Sequence, residues 1–130
     1  MSDVKAVRYL LANSATLIAQ VPAARIIGGV LPQGIALPAI SVMHISTVRQ
    51  QMVSAASRMC MSRVQVTVMA PTYATQKSII ALVRAALPRS RGSVNGVAVE
   101  SIIPDTEGPD ATDDARLYIG SMDHRVTYAE

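Results

Sequence analysis

Neither phenylalanine nor tryptophan occurs in this sequence, and the only aromatic rings belong to Tyr9, Tyr73, Tyr118 and Tyr128. A chain so poor in rings offers little for nucleobases or sugars to stack on, which counts against a single-strand nucleic-acid or carbohydrate binder. Cysteine is nearly absent too. Cys60 stands alone, which excludes an intrachain disulfide and leaves no second thiol for a metal or redox pair, a pattern that fits a reducing compartment. No apolar run approaches the roughly 18 to 20 residues of a membrane span, and Met1-Ser2-Asp3-Val4-Lys5 lacks signal-peptide character, so neither secretion nor membrane insertion is expected. Gly28-Gly29-Val30 and Gly92-Ser93 have neither the phosphate-loop spacing nor the repeated glycines of a dinucleotide fold.

What is present is aliphatic. Half of the 130 residues are apolar, so Val, Ile, Leu, Ala and seven Met must fill the core, and the length suits one domain spanning residues 1–130. The net charge of +3 is segregated along the chain rather than concentrated in a basic run. Arg84, Arg89 and Arg91 form a local basic group, while Asp105, Glu107, Asp110, Asp113 and Asp114 fall within one ten-residue stretch. Such polarity suits self-association at least as well as DNA binding.

Periodicity orders the chain. Val4, Val7, Leu11, Ser14, Ile18 and Val21 recur at three- and four-residue steps, predicting a helix from a Ser2 or Asp3 cap to about Gln20, closed by Pro22. Arg25-Ile26-Ile27 reads as a short extended piece before a Gly- and Pro-rich linker to Pro38. Ala39 to Ser46 reads as a strand with apolar groups on both faces. Thr47 to Ser57 loses its periodicity and is expected to be an exposed contact arm carrying Arg49, Gln50 and Gln51, with Arg58 just beyond. Alternation of Val64, Val66, Val68 and Ala70 against Arg63, Gln65 and Thr67 predicts a half-buried strand. Pro71 ends it, Thr72 caps a helix over Tyr73 to Leu87, and Pro88 stops that helix. Val94 to Ile103 reads as a strand around an Asn95-Gly96 turn, Pro104 to Asp114 as an acidic loop, and Arg116 to Tyr128 as the last strand. The expected fold is α+β: an antiparallel or mixed β-sheet, arranged economically as a meander, with two main helices packed on one face and long loops between strands.

Residues suited to chemistry are few. His44 and His124 could hold a metal or move protons only if brought together, and ordinary places in a sheet explain both. Asp123-His124-Arg125 is no dyad, because alternation along a strand sends neighbouring side chains to opposite faces. Cys60 has no activating histidine nearby in sequence, and the acids of Pro104 to Asp114 miss the register of a calcium loop. Those acids suit pairing with a neighbour's arginines, or simple solvation.

The ordered series resembles the tail-completion, or tail-terminator, proteins of long-tailed bacteriophages over nearly its whole length. It comprises the opening helix, Arg25-Ile26-Ile27, the linker containing Leu37-Pro38-Ala39-Ile40, a polar loop, the strand from Arg63 to Val68, the helix from Thr75 to Leu87, the acidic loop and Arg116-Leu117-Tyr118. The resemblance implies a subunit of a ring, commonly a hexamer, that caps the head-proximal end of the tail tube and ends its polymerisation. Its expected partners are further copies of itself, the tail-tube protein, and a head-tail connector or neck protein, with DNA in the lumen. It implies a virion location at the head-proximal end of the tail after assembly in the bacterial host cytoplasm, and no catalytic residue or cofactor. The surface residues expected to serve contacts are Arg49, Gln50, Gln51, Arg58, Arg84, Arg89, Arg91, Asp105, Glu107, Asp110, Asp113 and Asp114. Three alternatives stay open at this point: a connector or neck subunit, a DNA-associated module using Arg49, Arg58, Arg84, Arg89 and Arg91, and a small enzyme or ligand-binding domain using His44, His124 or Cys60.

Overall fold

The computed structural model describes residues 2–32, 34–49, 59–87, 92–112 and 117–129. Helix α1 (Ser2–Ala12) opens the chain, with Ala6, Val7 and Leu11 fully buried along one stripe. The single long helix expected up to Gln20 does not form. Asn13 turns its side-chain amide back to donate to the Tyr9 carbonyl at 2.8 Å, and Ser14 adopts an extended conformation before the short helix α2 (Ala15–Ile18). Short polar side chains of this kind compete with the helical ladder for backbone groups. Past the break Leu17, which widens the predicted stripe, and Val21 are buried as expected, whereas Ile18, expected to face inward, is exposed.

A turn of 3-10 helix leads into β1 (Ile26–Gly28), which pairs in parallel with β2 (Ala39–Arg49) through Ile26 and Ile40. Arg8 on α1 donates from Nε to the Ile26 carbonyl at 2.8 Å, tying the first helix to this edge. β2 runs on through Thr47, Val48 and Arg49, which were expected in a loop. A bulge between His44 and Ser46 inserts Ile45 and breaks the alternation that would have announced the strand. The remainder of that expected arm, including Gln50, Gln51 and Arg58, lies outside the described residues.

β3 (Met59–Ala70) shows strict alternation, with Cys60, Ser62, Val64, Val66, Val68 and Ala70 buried. Thr72 accepts a hydrogen bond from the Thr75 amide and starts α3 (Tyr73–Ala86), which buries Gln76, Ile79, Ile80 and Val83. After α3 the hairpin of β4 (Gly92–Val94) and β5 (Val97–Glu107) turns through Asn95 and Gly96, both at positive φ as a two-residue primed turn requires. β5 includes Pro104 to Glu107, the first part of the expected acidic loop, because Pro104 and Glu107 lie in register with His124 and Met122. β6 (Ala111–Thr112) and β7 (Tyr118–Ala129) complete the chain.

The strand order is β1-β2-β3-β7-β5-β4, with β6 also paired to β7. This is a mixed, curled sheet with helices packed on it, and strand outweighs helix. It is not a meander: β7, last in sequence, lies between β3 and β5 and is antiparallel to both. β3 and β5 therefore run parallel to each other, and the α3 crossover between them is what lets a third strand enter the gap. All along β3 and β7 the buried residues are alternate ones, so one face of the sheet meets the helices while the other is open.

Gly120 is the tightest point between the layers. A Cβ built there would lie 2.3 Å from Gln76 Nε2 and 2.6 Å from Ile80 Cδ1. Gly120→Ala is expected to lower the stability by about 2 kcal/mol, as an overpacked helix-to-sheet contact does, read as a fall in the urea midpoint with an unchanged slope.

Candidate assembly surface

The open face is built from the outward residues of four adjacent strands. Val48, Met61 and Thr127 share one row across β2, β3 and β7, and Ser46, Arg63 and Arg125 share the next but one. Arg63 and Arg125 thus face each other directly, an unfavourable pairing of like charges. Asp105 on β5 relieves it by accepting from Arg63 Nη2 at 2.9 Å and lying 3.6 Å from Arg125 Nη2. Asp123 adds a contact of 3.9 Å to Arg63 Nε. At this degree of exposure each such pair contributes roughly 0 to 1 kcal/mol. Around this patch stand exposed apolar side chains: Met43 and Val48 on β2, Met61 on β3 and Ile103 on β5, with Ile45 at the bulge. A shallow groove of about 290 Å³ runs between Val48, Met59, Met61 and Thr127.

A polar chain crosses the other face. Asp3, buried in the first turn of α1, accepts from His44 Nδ1 at 2.5 Å. Thr47 Oγ1 lies 3.4 Å from His44 Nε2 and 2.9 Å from Ser62 Oγ, which in turn donates to the Tyr128 hydroxyl at 3.5 Å. Carboxylate, imidazole and hydroxyl follow in the order of an acyl-transfer triad. The threonine, however, is closer to Ser62 than to the imidazole, and the chain serves to tie α1 to three strands. Nothing in the sequence spacing announces it, since Asp3 and His44 are 41 residues apart.

His44 and His124 do not form a pair. Both are in register with Val64, one on each side of it, which places them about 10 Å apart at the spacing of strands. His124 is fully buried beneath α3, and neither ring nitrogen has a hydrogen-bond partner among the described residues; the same holds for Gln76 Oε1. Burial first, and then the nearby Arg84 charge, push the His124 pKa down to about 4. Asp123 and Arg125 point to the opposite face, as alternation predicts.

The acids and bases proposed from sequence fall into two groups. Gln50, Gln51, Arg58, Arg89, Arg91, Asp113 and Asp114 lie outside the described residues. Of the others, Arg49 ends β2, and three acids have partners within the chain: Asp105 as above, Glu107 in a close ion pair with Arg84, and Asp110. Asp110 accepts from Lys77 Nζ at 2.8 Å, from the Tyr73 hydroxyl at 2.9 Å and from Gln76 Nε2 at 3.4 Å. The lysine, then the tyrosine, hold its carboxyl below the ordinary range, and the aspartate in turn raises the lysine. Tyr73 also meets Tyr118 edge to face at 6.0 Å, so the segment between β5 and β6 is fastened to the start of α3. Cys60 is buried, and among the described residues no group of three or more His, Cys, Asp or Glu side chains is placed to hold a metal. No helix among them is long and apolar enough to cross a membrane.

A family model described as "Tail completion protein gp17" matches residues 5–129. The chain belongs to that family. The tail completion fold has relatives among solved structures. A chain from a structure described as "Virion of native gene transfer agent (GTA) particle" superposes with a TM-score of 0.78 at 16% identity, covering 95% of this chain and 92% of that one. A second solved structure gives a TM-score of 0.60 at 19% identity, covering 97% and 95%. At these identities the likeness establishes the fold. No protein of curated function matches the sequence.

Two outcomes follow for this tail completion protein. The folded pKa of His124 lies below its unfolded value of 6.5. Above pH 6.5 the group is neutral in both states and contributes nothing. As the pH falls toward 4 the unfolded chain takes up a proton that the folded chain refuses, and stability drops by on the order of 3 kcal/mol. His124→Met should flatten that part of the stability-against-pH profile, measured by urea unfolding at pH 7, 5.5 and 4. Asp110→Asn should speed amide hydrogen exchange at Ala111 and Thr112 while leaving exchange in β3 unchanged.

Proposed function

We propose that this tail completion family member is a non-enzymatic virion subunit that forms a ring on the head-proximal end of a tail tube, halts tube growth and presents a surface to the head connector. The observation that carries the reading is the family match over nearly the whole chain, residues 5–129. The fold shared with a chain from a gene transfer agent virion supports it. The architecture supports it in physical terms: a firm helix-backed layer leaves one sheet face open, with exposed apolar groups beside an internally neutralised charge patch. On this reading the partners are further copies in a closed ring, the tube protein, and the connector or neck protein, with DNA passing through the lumen. The contacts fall to Arg49, Gln50, Gln51, Arg58, Arg89, Arg91, Asp113 and Asp114, together with the open face. Asp105 shapes that face through its bonds to Arg63 and Arg125, while Arg84, Glu107 and Asp110 are bonded on the side of α3.

Light scattering over a concentration series, with and without tail-tube subunits, tests the reading. A discrete closed oligomer, or monomers that assemble only on tube ends, is the expected result. A monomer that ignores tubes at every concentration would overturn it.

A further inference from the structure

The two outer edges of the sheet are each covered along only part of their length. On one side β1 pairs with β2 at Ile40 to Val42, and among the described residues no strand pairs with the outer edge of β2 from Met43 to Val48. A groove of about 330 Å³ lined by Val4, Gly28, Gly29, Val42, Met43 and His44 opens where β1 stops. On the other side β4 pairs with β5 at Val97 to Val99, and no described strand pairs with the outer edge of β5 beyond it.

These two open stretches lie at the same height across the sheet. Val48 is in register with Met61, Met61 with Thr127, and Thr127 with Ser101; likewise Ser46 leads through Arg63 and Arg125 to Ile103. They also run in opposite directions, because three antiparallel steps separate β2 from β5. Two copies placed side by side with the same face forward therefore bring an open β2 against an open, antiparallel β5. Each edge carries an exposed apolar side chain on the open face, Val48 at 61% and Ile103 at 40% exposure.

We propose that the outer edge of β2 over Ser46–Val48 pairs antiparallel with β5 over Ser101–Ile103 of a second copy of this chain, Val48 beside Ser101 and Ser46 beside Ile103, so that the sheet continues from subunit to subunit. The inference rests on the ring reading above and names its seam. A head-to-tail contact of this kind leaves one β2 and one β5 edge free at every step until the ring closes, whereas a two-fold β2-to-β2 contact would stop at a dimer. Pairing at equal height keeps Ser46, Val48, Ser101 and Ile103 all on the open face. Pro104 has no N–H, so it ends the row of donors and keeps the ladder short, as edges that must not aggregate require.

The test is a cysteine pair, Val48→Cys with Ser101→Cys, in the full chain under mild oxidation with tail-tube subunits present. A ladder of covalent multimers on a non-reducing gel, ending at the size of the closed oligomer and absent from either single variant, is expected. Val48→Asp, at a site exposed enough to leave the fold intact by circular dichroism, should raise the concentration needed for assembly at least about tenfold. If the unmodified protein forms a closed oligomer yet the pair gives no ladder and Val48→Asp assembles normally, the seam is wrong and the ring stands. If no oligomer forms under any condition, both fall together.

Discussion

The insertion of β7 between β3 and β5 is the contact on which the remaining structure depends. Without it the β4–β5 hairpin has no strand to join, and the sheet ends at β3. The inward residues of β7, namely Gly120, Met122, His124, Val126 and Tyr128, lie alongside the buried row of β3, with Gly120 and His124 beneath α3. Gly120 sets how closely helix and sheet approach, since Gln76 and Ile80 occupy the space a side chain would need. The strand that completes the core is therefore the last one in the sequence. Its two neighbours come from before and after a helix, which makes the decisive contacts long-range and costly in chain entropy.

One-sided burial follows from that arrangement. Helices α1, α2 and α3 reach only one face, and an antiparallel sheet can leave its other face to solvent. On the open face the charged groups are organised among themselves: Asp105 draws in Arg63 and Arg125, and Asp123 adds to Arg63. Met43, Val48, Met61 and Ile103 border this neutralised patch. A surface of that composition loses little electrostatic solvation when covered by a partner, because its charges are already compensated before contact.

Much of this was legible where local physics sets the outcome. Alternation of Val64, Val66 and Val68 gave the strand and its inner face, Thr72 gave the start of α3, and Asn95-Gly96 gave the hairpin turn. The misreadings occur where a short polar side chain breaks a periodic pattern or a tertiary partner overrides it. Asn13 and Ser14 interrupt a stripe that would otherwise continue, and the Ile45 bulge hides Thr47 to Arg49 from any period-two reading. Pro104 to Glu107 reads as a loop because proline and acids dominate it, yet register with β7 makes it strand. The hairpin-like spacing of the two late strands announces the antiparallel pairing of β5 with β7, whereas the pairing of β7 with β3 leaves no trace in spacing, because it joins strands far apart in sequence. The Asp3–His44 bond and the solitary burial of His124 were hidden for the same reason.

The acidic segment shows how far charge alone can be taken as a guide to partners. Its clustering in sequence suggested a complement to a neighbour's arginines. In the folded chain Asp105, Glu107 and Asp110 are instead bonded to Arg63, Arg84 and Lys77, respectively. These are exposed pairs, each weak by itself, but all three act on one stretch of chain and hold the end of β5 and the start of β6 along β7. Charge in this molecule fastens one segment in place, and what the β5 edge leaves uncovered among the described residues is backbone and aliphatic surface, the kind of contact surface an aliphatic chain without Phe or Trp is equipped to present.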